Sequence, residues 1–167
     1  TLDLKQEGGG PVTIGVNNDA EKTAKKLADF VAAYNDLLTF SNENDKIERV
    51  EDDKGATNIF GTLARTRLDD QAIDSVRGAL FAASSGVAGS SVQILADLGI
   101  TTERDGTLKF DNEKFTEAVA EDPVAVDKLL NSVGDKLASQ SGIIAEYTKF
   151  NGLLERSQRS NEEENEN

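Results

Sequence analysis

The sequence has no cysteine, no histidine, no methionine and no tryptophan, and it has two prolines. Without cysteine there is no disulfide, no thiolate nucleophile, no thiolate zinc site and no iron–sulfur cluster. Without histidine there is no imidazole general base, no Ser-His triad and no histidine metal ligand. No apolar run approaches the ~18 residues that a membrane helix needs; Gly78 to Ala83 is typical of the longest near-apolar stretches. Basic residues are outnumbered, with 18 Lys and Arg against 31 Asp and Glu, for a net charge of −13. A surface of that sign repels nucleic acid and anionic lipid head groups, so neither a nucleic-acid partner nor membrane insertion is expected. The lack of cysteine suits a cytosolic protein, and equally an exported one that must pass a channel unfolded and uncrosslinked.

What is present is enough for one ordinary domain: 167 residues, 37% of them apolar. The chain opens at Thr1 and has no methionine, so it is expected to be processed or cut from something longer. Thr1 to Asn17 has neither a basic leader nor an apolar core of a signal peptide. Residues 1–17 read as β, because Leu2, Leu4, Val12, Ile14 and Val16 alternate with polar residues or glycine around Gly8-Gly9-Gly10-Pro11. Two short strands alone are marginal, so this segment is expected to be the edge of a β-domain. The three glycines lack the Lys and Ser/Thr of a phosphate loop.

A helix is predicted from Asn18, with Asn18 as cap and Glu21 completing a capping-box-like pair. Ala20, Ala24, Leu27, Val31, Tyr34 and Leu38 follow at spacings of 4, 3, 4, 3 and 4, a heptad-like seam widened by Phe30 and Leu37. The seam stops in the polar stretch 41–53, which favours a helix in a bundle over a long coiled coil. Leu27, Val31, Tyr34 and Leu38 thus form a seam for internal packing or for another subunit. Glu48 to Gly55 reads as an acidic loop, and a second helical region is predicted from Thr57 to Ser84, with Ile59, Phe60 and Leu63 in a weak first turn and a fresh start at Asp69/Asp70.

Ile94, Leu95 and Leu98 are closed by Gly99, a plausible helix end. Ile100-Thr101-Thr102 and Thr107 to Phe110 flank Arg104-Asp105-Gly106, and Asp-Gly between β-prone runs predicts a hairpin turn at Asp105 and Gly106 whose residues take positive φ. Asp111 and Asp122-Pro123 each mark a helix start. The segment from Ile143 begins amphipathic and ends in a polar run read as a solvated helical extension. The fold class is therefore mainly α: a helical bundle with coiled-coil-like helices, a small β-hairpin and an N-terminal edge of a β-domain.

Candidate chemistry is thin. Aligned as an EF-hand, Thr101 to Asn112 would put Thr and Asn where Asp and a bidentate Glu are needed, so a plain turn is expected. Asp69, Asp70 and Asp74 fit a helix start favoured by its dipole better than an acid/base or metal cluster. No catalytic residue, metal site or cofactor is expected.

Three blocks resemble a known family. Asp29-Phe-Val-Ala-Ala-Tyr-Asn-Asp-Leu-Leu38, the stretch Leu95-Ala-Asp-Leu-Gly-Ile-Thr-Thr-Glu-Arg-Asp-Gly-Thr-Leu-Lys-Phe-Asp-Asn-Glu-Lys-Phe115, and Asp122-Pro-Val-Ala-Val126 resemble the bacterial flagellar filament-capping, type 2 hook-associated family over about Val12 to Leu154. The resemblance implies the C-terminal half of a leg domain. Residues 1–17 would be the terminal β-segment of a mostly absent head domain. Residues 18–154 would be the helical leg portion with its hairpin near 100–110, and 155–167 the start of a long C-terminal helix or a polar tail. It further implies an extracellular protein exported through the flagellar secretion apparatus. At the filament tip it would form a homo-oligomeric ring that promotes flagellin insertion and prevents flagellin loss. Flagellin, the hook–filament junction protein and an export chaperone would be its partners. Two competing readings are an adhesin or carbohydrate-binding module, for which two Tyr and no Trp offer little stacking surface, and a metal-dependent hydrolase using Asp69, Asp70 and Asp74.

Overall fold

The longest element is α1, Ala20–Asn44, 25 residues. The computed structural model describes residues 19–52, 55–64 and 67–165, so the β-segment expected over 1–17 and the cap expected at Asn18 lie outside the described residues. The helix is capped by Asp19, whose carboxylate accepts the Lys22 N–H at 2.9 Å. One of the donors that every helix start leaves open is thereby satisfied. Ala24, Val31, Tyr34 and Leu38 are buried along one stripe, with Leu27 and Phe30 half-buried against the core.

The next segment departs from the loop expected over Glu48–Gly55 and the helix expected from Thr57. Strands β1 (Ile47–Asp52) and β2 (Gly55–Phe60) pair antiparallel, in a register running from Ile47 opposite Phe60 to Asp52 opposite Gly55. Every residue of β2 is exposed. A ribbon that buries neither face lacks the apolar–polar alternation by which a half-buried strand is recognised. The neighbours Ile59 and Phe60 therefore read as a helical turn in the sequence. At the foot of the ribbon Gly61 donates to Lys46 O at 2.8 Å and Leu63 to Asn44 O at 3.0 Å. A Cβ on Gly61 would sit 1.9 Å from the Asn44 carbonyl oxygen, so the return to α1 requires glycine.

Helix α2 is shorter than expected, Leu68–Phe81, and carries Asp69 and Asp70 in its first turn, where negative charge meets the positive end of the dipole. It buries Ile73, Ala79 and Leu80. Beyond it the chain is irregular, and Ser85 ties it down: its hydroxyl donates to Val92 O at 2.7 Å and its N–H to Gln93 O at 3.1 Å. Leu95–Leu98 form a 3₁₀ turn ended by Gly99. The Asp97 carboxylate holds its start, accepting the Gln93 and Ile94 N–H groups at 2.9 Å each.

Strands β3 (Ile100–Thr102) and β4 (Leu108–Phe110) make the predicted hairpin. Helix α3, Asn112–Glu121, starts at Asp111, which accepts the N–H groups of Glu113 and Lys114. Helix α4, Pro123–Ala138, starts at Asp122, which accepts Ala125 N–H, with Pro123 in the first turn where its missing donor costs nothing. Helices α5 (Ile143–Thr148) and α6 (Leu153–Asn165) follow. Phe115, Leu98, Leu129 and Val92 are the largest fully buried side chains. The Phe110 ring lies 5.8 Å from that of Phe115, tilted by 58°, within the favourable edge-to-face range. The fold is mainly α with two small two-stranded antiparallel ribbons.

Candidate functional site

The seam residues of α1 and the turn at Asp105–Gly106 are read separately in the sequence; the fold brings them together. Tyr34 donates its hydroxyl to Gly106 O at 3.3 Å. One residue on, Asn35 reaches β4: its Nδ2 donates to Leu108 O at 2.9 Å and its Oδ1 accepts Leu108 N–H at 2.8 Å. The side-chain amide thus does for the edge of β4 what a third strand would do. A two-stranded ribbon is marginal alone; α1 braces this one. Asn35 carries no role in the sequence reading. The one signal for it is an amide inside a helix, immediately beside a seam residue, where asparagine is a poor helix former.

Two backbone bonds close the turn around Arg104-Asp105-Gly106. Glu103 N–H donates to Thr107 O at 2.8 Å and Gly106 N–H to Glu103 O at 3.1 Å. Gly106 alone takes positive φ, +88°, while Asp105 does not. Asp105 instead accepts from Thr107 through the hydroxyl at 2.6 Å and the N–H at 3.0 Å. The Thr107 hydroxyl first, and its N–H second, hold the Asp105 carboxyl below its ordinary value. Its lone pairs are committed to the turn. A Cβ on Gly106 would lie 2.9 Å from Arg77 Nη2 and 3.6 Å from Leu38 Cδ2, so α1, α2 and the turn meet here.

The three carboxylates of α2 do not converge. Asp69 accepts the Ser41 hydroxyl of α1 at 2.5 Å, Asp74 pairs with Arg77 Nη1 at 3.0 Å, and Asp70 is exposed. Among the described residues no group of three or more Asp or Glu is arranged to hold a metal ion.

Two apolar recesses flank this centre. The larger, about 630 Å³, lies between α1, α2, α5 and α6 and is walled by Leu37, Phe40, Leu63, Ala72, Tyr147 and Leu154. Leu37, Phe40, Ile144 and Leu154 are 41–57% exposed there. The smaller, about 300 Å³, lies between α2 and β3. No helix among the described residues is long and apolar enough to cross a membrane. The arrangement offers packing surfaces and braced turns.

A sequence profile described as flagellar hook-associated protein 2 C-terminus matches residues 1–166. The B-type flagellar hook-associated protein 2 of Pseudomonas aeruginosa is 31% identical over 156 residues, covering 89% of this chain and 30% of the relative. The lateral flagellar hook-associated protein 2 of Vibrio parahaemolyticus is 31% identical over 139 residues, covering 83% of this chain and 28% of the relative. The chain thus spans about 30% of the length of these relatives. The crystal structure of the flagellar cap protein FliD D1-D2-D3 domains from Escherichia coli shares the fold, with a TM-score of 0.57 at 23% identity over 84% of this chain and 35% of that one. The match across nearly the whole sequence and the shared fold establish that the chain belongs to the flagellar hook-associated protein 2 C-terminus family.

Proposed function

We propose that this chain is a helical part of a flagellar filament cap, a structural protein at the distal end of the filament that promotes flagellin insertion and prevents flagellin loss. In the whole protein it works as a homo-oligomeric ring, with flagellin, the hook–filament junction protein and an export chaperone as partners, after export through the flagellar secretion apparatus. Residues 18–154 serve as the leg portion in this reading, 1–17 as the edge of a head domain, and the seam Leu27, Val31, Tyr34 and Leu38 as the packing that keeps the leg rigid.

The observation that carries the reading is the family match over residues 1–166. The geometry is compatible with it: buried helix stripes and braced turns suit a scaffold. The test is complementation with localisation. In flagellated cells lacking their own cap protein, the full-length protein containing this chain should restore filaments, and gold-labelled antibody against this chain should mark only their distal ends. Without it, flagellin should collect in the medium. Label along the shaft or at the base, or retention of flagellin without the protein, would refute the reading.

A further inference from the structure

The link between α5 and α6 puts two adjacent residues under separate structural demands. Among the described residues Asn151 is the one non-glycine at positive φ, +57°, a conformation that asparagine adopts more readily than most L-residues. Gly152, next along, is buried. A Cβ there would sit 2.7 Å from the carbonyl oxygens of both Lys149 and Tyr147 and 3.0 Å from that of Glu146, so this close approach of backbone to backbone requires glycine. Meeting both demands writes Asn-Gly into the turn, and the sequence contains that pair nowhere else.

Asn-Gly is chemically labile because the glycine Cα carries nothing that shields its nitrogen. That nitrogen attacks the asparagine Cγ. An N–Cγ bond forms, the Cγ–Nδ2 bond breaks, and the amide proton leaves with the side-chain nitrogen as ammonia. Water then opens the cyclic imide at either carbonyl, giving Asp or an isoaspartyl link. The Asn151 side chain is exposed, but the attacking nitrogen is engaged, since Gly152 N–H donates to Lys149 O at 2.7 Å. Beside it, Asn151 N–H donates to Glu155 Oε2 at 2.6 Å, and Glu155 also pairs with Arg159. The Gly152 bond must break before the imide can close, and the Glu155 bond resists the backbone rotation that breaks it.

The products fit the turn worse than asparagine does. Both set a carboxylate four residues from Glu155, where like charges repel. The isoaspartyl form also lengthens the main chain by one atom where Gly152 has no room to shift. Gly152 O accepts Arg156 N–H at 3.1 Å, so the disturbance falls on the start of α6. That helix contributes Leu154, Ser157 and Gln158 to the wall of the larger recess.

We propose that Asn151 is a site of spontaneous, one-way modification to Asp and isoaspartate, held in check by the α5–α6 turn, and that conversion loosens α6 from α5 and from the wall of the larger recess. The rate is set by how often the turn opens. The inference rests on this turn alone and not on the filament reading.

The intact chain is held at physiological temperature and neutral pH beside a blocked peptide of residues 149–154, Lys-Phe-Asn-Gly-Leu-Leu. Peptide mapping that separates the Asn, Asp and isoaspartyl forms follows both. Asn151 should convert before any other asparagine, roughly ten- to a hundredfold more slowly than the peptide, because two hydrogen bonds must open first. Glu155→Ala, which removes bonds lying within α6 and its lead-in, should quicken conversion about threefold or more and leave hydrogen exchange at Phe115 unchanged. In the aged chain exchange should quicken at the Arg156 and Gln158 amides and not at Phe115. Asn151→Gly keeps the positive φ without a side-chain amide, and should age with no such change. The proposal is overturned if Asn151 is intact after about a hundred peptide half-lives, or if folded chain and peptide convert at one rate. It is equally overturned if Glu155→Ala converts no faster, or if Phe115 exchange rises in that variant, which would place the gate in global unfolding. Aged and fresh chains that exchange alike at Arg156 would refute the loosening of α6.

Discussion

Asn35→Ala isolates the brace between α1 and the β3–β4 hairpin. The substitution removes two hydrogen bonds, at 2.9 and 2.8 Å, both part-buried. Each is worth about 0.5–1.5 kcal/mol net, and leaving a buried backbone group unpaired costs about 1–3 kcal/mol. Leu108 is 7% exposed, so water does not readily replace the amide. Together these put the loss at about 2–3 kcal/mol. Alanine is the better helix former by up to about 0.7 kcal/mol, which works in the opposite direction. The brace wins, leaving a net loss of about 1.5–2.5 kcal/mol. For a chain of this size that corresponds to a fall in Tm of roughly 3–10 °C.

Two measurements read this out: urea unfolding of Asn35→Ala against the parent, and hydrogen exchange at the Leu108 amide, which should quicken in the variant. Asn35→Asp sharpens the test. It keeps the acceptor for Leu108 N–H but sets a carboxylate oxygen against Leu108 O, so at neutral pH it should destabilise at least as much as alanine. In acid, the protonated carboxyl can donate again and part of the loss should return. A change within about 0.5 kcal/mol for Asn35→Ala, the range of an ordinary surface substitution, with Leu108 exchange unaltered, would refute the bracing argument.

Val31→Asp puts a carboxylate at a position only 7% exposed on the α1 stripe; it should abolish the cooperative melt, and in the whole protein should stop filament growth and release flagellin. Asp70→Asn, on an exposed side chain, should leave melting within about 0.5 kcal/mol and filaments at full length, and the reverse pattern for the pair would sink the packing account. Gly106→Ala forces an L-residue to φ +88° with its Cβ 2.9 Å from Arg77 Nη2, and denaturant titration should find it about 1–2 kcal/mol less stable. Asp122 is held below its ordinary value of 3.8 by the Ala125 N–H first and the Ser90 hydroxyl second. Its contribution is therefore complete above the unfolded value and lost as pH falls through the folded one. The melting temperature should drop below about pH 4, and Asp122→Asn should flatten that acid limb while lowering stability at neutral pH; an unchanged limb would show that the cap does not titrate.

The sequence is legible where a side chain answers to its own neighbourhood. Asp111 and Asp122 cap backbone groups two or three residues away, so the cap, the Pro at the first helical position and the helix that follows can be read together. The α1 stripe is legible for a related reason: apolar positions spaced by 3 and 4 describe one helical face whatever covers it. The β1–β2 ribbon is illegible because nothing covers it. With all of β2 exposed, no burial alternation is written into the residues, and the acidic run that begins at Glu48 looks in sequence like any solvated loop.

The carboxylates of α2 show the same limit from the other side. Three Asp within six positions suggest one cluster, but Asp69 turns to Ser41 on α1 and Asp74 to Arg77. Proximity in sequence does not converge them. Asn35 is the reverse case, since its partner lies 73 residues away. No local pattern names that partner, yet the stretches carrying the family resemblance contain both ends of the contact. Phe30-Val-Ala-Ala-Tyr-Asn35 supplies Tyr34 and Asn35, and Asp105-Gly-Thr-Leu108 supplies Gly106 and Leu108. Read along the chain these are a helix seam and a hairpin turn with separate explanations. In the fold they are two halves of one junction, in which Tyr34 holds the turn and Asn35 holds the strand. If that junction fails, the β3–β4 hairpin loses the support of α1 and is again a two-stranded ribbon, so its integrity depends on an amide that lies outside it.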